Sequence, residues 1–287
     1  MSKRLSLAEF KGSYALVTGA TEGLGLAFAK ALAAKGLNLV LIARTELRLL
    51  TVAAELEDGF KIRVLPLAAD LSRVEAPGRI KEILTKREIR IRLLVNNAAT
   101  LHLGEFDAMV LADTHKMLQL NITAMISLCS LLMDDLQSHG QSAVINVSSA
   151  AALQPVPFMA VYAATKAFVQ NFSQALQYEV KARGVHIQTL VPGAIDTSAN
   201  VRIGLDVRAM KNLKSPAEVV AMSLAKLESQ RIVVHAAKGL WLQRLFVAAF
   251  PAAFVLKTVA KFFQPYLRRK PGADPVIRLT SEDEPHV

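Results

Sequence analysis

Short apolar runs rich in Val, Ile and Leu alternate with longer segments of helical period along the first two thirds of this chain, and few folds accept that pattern. The runs are YALVTG, NLVLIAR, KIRVLPLAAD, IRLLVNNAA, SAVINVSS and VHIQTLVPG. Between them lie GLAFAKALAAKG, TELRLLTVAAELED, SRVEAPGRIKEILTKRE, a long stretch from Asp113 to Leu136 and another from Val161 to Arg183. A strand that is apolar at nearly every position must be covered on both faces, and strands separated by helices pair in parallel. The fold class that follows is α/β, a doubly wound, Rossmann-like parallel sheet in three α/β/α layers.

No Pro/Gly/Ser-rich linker interrupts the series before about Ala199, so one catalytic-sized domain is expected over 1–270, with an apolar extension from about 198 and a mobile tail over 271–287. With 52% hydrophobic and 20% charged residues, long disordered regions are not expected. Past Gly193 the alternation stops; SPAEVVAMSLAKLES reads as a helix with Ser215 as N-cap and Pro216 in its first turn, and RIVVH as a last strand. The single cysteine, Cys129 in MISLCSLLM, excludes an internal disulfide and reads as a core thiol. His102, His115, His139, His186 and His235 share no metal-ligand spacing, so no metal is expected.

A net charge of +10 raises nucleic acid as a partner, yet no dense basic block interleaved with aromatics is present, and none is expected. The first residues, MSKRLSLAEFKG, have no apolar run of a secretory signal, so cytoplasmic residence is the default.

VTGATEGLG joins the first strand to the first helix and places Gly19, Thr21, Gly23, Leu24 and Gly25 where the chain turns tightly and exposes backbone N–H groups. Such a turn at a helix N-terminus receives a pyrophosphate. The second strand ends LIARTE, so Arg44 stands where a carboxylate would hold the ribose of NAD; an arginine there pairs with the 2′-phosphate of NADP. NADP(H) is favoured, with NAD(H) as the alternative. Glu22, inside the turn, gives the extra phosphate no help.

These motifs resemble those of the short-chain dehydrogenase/reductase family. TGATEGLG has that family's TGxxxGxG spacing, followed in order by Asp70 and Leu71, NNAA at Asn96 to Ala99, Asn121, Ser148 and Ser149, YAATK at Tyr162 to Lys166, and PGAIDT at Pro192 to Thr197. The resemblance runs from about Tyr14 to Thr197. It implies that Asp70, Leu71, Asn97, Ala98, Pro192, Gly193, Ile195 and Thr197 line the cofactor, with Asn96 closing the site. It also implies a homodimer or homotetramer. Ala99 replaces the family's usual glycine, which adds a methyl and removes no functional group.

By the same resemblance Tyr162 is the acid/base, Ser149 stabilises the substrate oxygen, and Lys166 holds the nicotinamide ribose and tunes Tyr162. Asn121 bends its helix, and its carbonyl holds a water on a proton path from Lys166. Free tyrosine titrates near pH ~10, so bringing it to about 7 takes roughly three units, or ~4 kcal/mol. One ammonium at about 4 Å, at an effective dielectric of ~20, supplies that much. Tyr-x-x-x-Lys on its own is common on helix faces; Ser149, at the C-terminal end of a strand where open α/β sheets place their crevice, makes the pair a site. Ser148 is the rival for its role.

The extension carries GLWLQRLFVAAFPAAFVLKTVAKFFQPYLRRK, Gly239 to Lys270. Its twelve uncharged residues between Arg244 and Lys257 are too few to span a bilayer, and Pro251 breaks them. A buried helix pair, a lid over a long apolar substrate, a subunit contact and a peripheral membrane contact all suit it. Together these features point to a hydride-transferring oxidoreductase acting on an apolar carbonyl or secondary alcohol. A non-catalytic dinucleotide sensor or membrane-surface scaffold is the alternative.

Overall fold

A computed structural model describes residues 5–195, 213–237 and 239–267. Thr197, the residues 196–212 that begin the extension, and the expected tail over 271–287 lie outside the described residues. Seven strands form one sheet: β1 Tyr14–Thr18, β2 Asn38–Ala43, β3 Val64–Ala68, β4 Ile91–Asn96, β5 Ser142–Val147, β6 Val185–Val191 and β7 Val233–His235. Every pairing is parallel, in the order β3-β2-β1-β4-β5-β6-β7. The strand order reverses between β1 and β4, which opens a crevice at their C-terminal ends.

The apolar runs are continuous because each strand feeds two cores. Leu16 packs in one cluster and Val17 in the other, and Leu94 and Val95 divide in the same way. Helices α1 Gly23–Ala34, α2 Glu46–Phe60, α3 Ala76–Lys86 and α7 Ala160–Val180 follow their strands as the alternation requires. At the β3 margin, Pro66 pairs opposite Leu41.

The stretch expected as one helix from Asp113 to Leu136 is instead four pieces. α4 Leu111–Leu118 widens into a π-helical turn over Gln119–Thr123, then continues as α5 Ala124–Leu131 and α6 Met133–Ser138. The cause of the π turn is Asn121, whose side chain bonds outside its own helix. Its Oδ1 accepts from the Thr100 N–H at 2.9 Å, and its Nδ2 donates to the Thr100 carbonyl at 2.8 Å and to Thr165 Oγ1 at 3.1 Å.

Downstream, α8 Pro216–Glu228 begins at Ser215 with a full capping box: the Glu218 N–H donates to Ser215 Oγ, and the Ser215 N–H donates to Glu218 Oε2. Two more helices, α9 Leu240–Ala249 and α10 Ala252–Leu267, form a hairpin broken at Pro251. Val255 and Val259 of α10 are buried against Leu103, Val156, Met159 and Ala163 in a third, smaller core. No helix among the described residues is long and apolar enough to cross a membrane.

Candidate active site

The glycine turn is built by close approach. Gly19 and Gly23 hold positive φ, 64° and 53°. A Cβ on Gly25 would stand 2.0 Å from the Gly19 carbonyl oxygen and 2.7 Å from Asn97 Nδ2, so only glycine lets α1 start this near β1. The first-turn N–H groups of α1 have no helical carbonyl ahead of them, and they face the crevice that the strand reversal opens.

Asn97 and Ala98 are fastened to the same turn by the first residue of the TGATEGLG motif, to which the sequence reading gave no role. Thr18, buried at the end of β1, accepts through Oγ1 from the N–H groups of Asn97 and Ala98, each at 2.9 Å. The Asn97 amide returns to the Thr18 carbonyl at 2.9 Å. A buried hydroxyl between two apolar strand residues and the glycines was the available signal. Asn96 donates through its amide to Asn146 Oδ1 at 2.8 Å and to Cys129 Sγ at 3.4 Å, and it lines the small cleft shared with Thr18, Ala98, Asn121 and Lys166. Cys129 is buried as expected, and burial pushes its thiol up to about 12.

Around the adenosine end, Arg44 is exposed at the tip of β2. Asp70 lies within reach of its charge. Burial by itself raises the Asp70 carboxyl, but hydrogen bonds from the Ser72 N–H and hydroxyl and the charges of Arg44 and Arg73 outweigh it and leave it below its ordinary value. Arg48, four residues on in α2, was also missed; its Nε donates to the Thr21 carbonyl at 3.0 Å, on the glycine turn itself. Leu24 and Leu71 turn their side chains into the cores. Gly193, after Pro192, is packed so tightly that a Cβ would meet Ala237 Cβ at 2.4 Å, and Ile195 is buried and bridges to Lys214.

Tyr162 falls in the first turn of α7 and Lys166 one turn later, on the same face. Ser149, just past β5, accepts from the Ala151 N–H at 3.2 Å, and its hydroxyl lies near enough to the Tyr162 phenol to pull that group's pKa down. Ser148 is occupied otherwise: it is 2% exposed and donates to the Lys166 carbonyl at 2.9 Å. Of the two serines, Ser149 is the one whose hydroxyl acts on the phenol's pKa.

The electrostatics differ from the sequence estimate. Lys166 Nζ, 4% exposed, donates to the Val147 carbonyl at 2.9 Å and stands 5.9 Å from the centre of the Tyr162 ring. Burial pushes this amine down to about 8. Burial also pushes the Tyr162 phenol above its ordinary value, against a smaller downward pull from Ser149. Desolvation, which disfavours both charged forms, outweighs the attraction that the 4 Å estimate assigned to the pair.

A small cleft lined by Thr18, Ala98, Asn121 and Lys166 continues below this group. Above it, a second cleft beside Tyr162 is walled by Phe106, Met109, Met117, Phe158 and Met159. Phe158 takes φ 66°, uncommon for a phenylalanine, and its carbonyl accepts from the Gly104 N–H at 2.9 Å, which ties the two walls together.

A parallel sheet with a glycine turn at its switch point and a Ser-Tyr-Lys group on the next crossover defines a dinucleotide-binding oxidoreductase class. The family model for short chain dehydrogenase matches residues 13–208, and the chain belongs to that family of oxidoreductases. Over 265 residues it is 33% identical to 17-beta-hydroxysteroid dehydrogenase type 3 of Mus musculus, covering 90% of this chain and 84% of that one. Very-long-chain 3-oxoacyl-CoA reductase-A of Danio rerio and inactive hydroxysteroid dehydrogenase-like protein 1 of Rattus norvegicus are each 34% identical, over 65% and 69% of this chain. The chain spans only 59% and 60% of those two relatives. Among solved structures, a short-chain dehydrogenase from Sphingobium yanoikuyae in complex with NADPH superposes with a TM-score of 0.74 at 28% identity, over 93% of this chain and all of that one.

Proposed function

We propose that this chain is an NADP(H)-dependent reductase of apolar, lipid-like ketones, working through Tyr162, Ser149 and Lys166. The observation that carries this reading is the Tyr162 phenol, with Ser149 beside it, opening on a cleft walled by three methionines and two phenylalanines. The turn of Gly19, Gly23 and Gly25 fits a pyrophosphate, with Arg44 and Arg48 near the adenosine end and Lys166 near the nicotinamide ribose. Bound NADPH would supply the hydride.

The chain's own residues handle the proton. A phenol held above its ordinary pKa is fully protonated at neutral pH, so Tyr162 stands ready as the acid that protonates a carbonyl oxygen. Ser149 donates to the same oxygen as negative charge develops on it. Lys166, with an amine near 8, remains largely cationic at neutral pH and lends its charge to the ribose hydroxyls. Asn121, clamped to Thr100 and Thr165, fixes the π turn beside Lys166 and keeps the lower cleft open as its route to solvent. α9 and α10 serve as the lid, since they pack over the apolar wall at Phe158, Met159 and Ala163.

Lipid-like ketones fit the methionine and phenylalanine walls, which offer dispersion contacts and few hydrogen bonds to a sugar. The test is a series of ketones from short to steroid- or acyl-sized, followed by NADPH absorbance, with wild type and Tyr162→Phe. Turnover should rise with apolar size and fall about a thousandfold or more in Tyr162→Phe, while NADPH binding changes by less than about threefold. Equal turnover in the variant would sink the acid assignment. NADPH binding with no turnover on any ketone or alcohol would favour a dinucleotide sensor.

A further inference from the structure

We infer that the tip of the α9–α10 hairpin is a membrane-docking element that inserts its aromatic residues into an anionic lipid surface. Seven consecutive residues, Ala248 to Phe254, are all exposed and all apolar. Phe250 is 47% and Phe254 49% exposed; their ring centres lie 5.1 Å apart, and both pack tilted against the Phe246 ring. Leu242 and Leu245 continue the exposed apolar surface along α9, each more than half exposed. A folded chain in water gains nothing by presenting seven apolar residues in a row at a hairpin tip.

Charge selects the occupant. From Ser229 to Ala273 the sequence holds eight basic residues and no acidic one. Arg244 precedes the tip, and Lys257 and Lys261 follow it on the exposed side of α10. A second copy docked hairpin to hairpin by two-fold symmetry would set these cations against one another, with no carboxylate in the hairpin itself to offset them. A surface of anionic phospholipid headgroups is complementary to them and takes the aromatic tip into its apolar layer. The hairpin does not span; it lies at the interface.

The opposite side of the same hairpin is the third core, where Val255 and Val259 pack beside Met159 and Ala163, one turn around from Tyr162. Docking therefore sets the apolar cleft at the lipid surface, so that a lipid-like ketone enters sideways without crossing water. That last step rests on the function proposed above, whereas docking itself does not.

Flotation of the whole chain with phosphatidylcholine vesicles, with and without phosphatidylserine, separates the two because it needs no turnover. The chain should float with phosphatidylserine-containing vesicles and stay behind with pure phosphatidylcholine. Phe250→Ser with Phe254→Ser, and separately Lys257→Glu with Lys261→Glu, should each lower the vesicle-bound fraction on the order of tenfold. The charge-reversed pair alters only exposed side chains, and unchanged thermal melts keep either result from being misfolding. A wild-type chain that stays behind with both vesicle types overturns the proposal, as do two variants that float like wild type. So does a dimer in the ultracentrifuge that the Phe pair dissolves while vesicles bind nothing.

Discussion

Lys166 is a cation at 4% exposure whose one hydrogen-bond acceptor is the Val147 carbonyl, and its protonation leaves a mark on stability. Between about 8, where the folded amine titrates, and 10.5, its ordinary value, the unfolded chain holds a proton that the folded chain has lost. Stability conferred at this residue therefore rises with pH across that window. Cys129 acts oppositely: the unfolded thiol ionises from about 9 while the folded one waits until about 12, so stability is lost as pH climbs. The two slopes oppose each other where the windows overlap, from about 9 to 10.5, and single variants separate them. In urea titrations from pH 7 to 10, Lys166→Met should show stability falling above pH 9, and Cys129→Ala should show it rising from pH 8. Flat curves for both would refute the two pKa displacements.

Arg44 is the residue we propose to set a preference for NADP(H). It is exposed and close enough to Asp70 to lower that carboxyl, so its guanidinium is free to meet a 2′-phosphate. Arg44→Ala should weaken NADPH binding about tenfold to a hundredfold and leave NADH within about threefold, measured by fluorescence titration of each coenzyme. Arg48 adds a second cation, so the double variant should lose more than either single one.

At the scale of elements, the π turn shows what one polar residue does to a helix. Asn121→Leu would strand the Thr100 N–H and carbonyl and the Thr165 hydroxyl in a buried setting. The cost should be about 2–4 kcal/mol, read from denaturant midpoints. The asparagine was legible as an oddity in a helical stretch, but its partner was not: Thr100 lies twenty-one residues away and carries no pattern of its own. α8 is the contrary case. Ser215, Pro216 and Glu218 act on neighbours within one turn, and such local chemistry can be read from the letters.

Across the whole molecule, the sheet was legible because burial on both faces writes itself into every strand position, as at Leu16 and Val17. The site was legible where spacing fixes geometry, as between Tyr162 and Lys166 on α7, or between Ser149 and the end of β5. The balance of desolvation against attraction was not. The sequence supplies which charges are near, but not that Lys166 points to the Val147 carbonyl. Neither was Thr18, whose partners arrive from a strand seventy-nine residues on.

The margins of the sheet carry one more consequence. Parallel strands stacked edge to edge would let a stray copy add itself to either side, yet Pro66 sits in the middle of β3 and takes one donor out of that outer row. The far margin, β7, offers three residues. Both borders are therefore poor templates for fibre growth, which lets the chain keep a strongly apolar sheet at less risk of its own kind extending it.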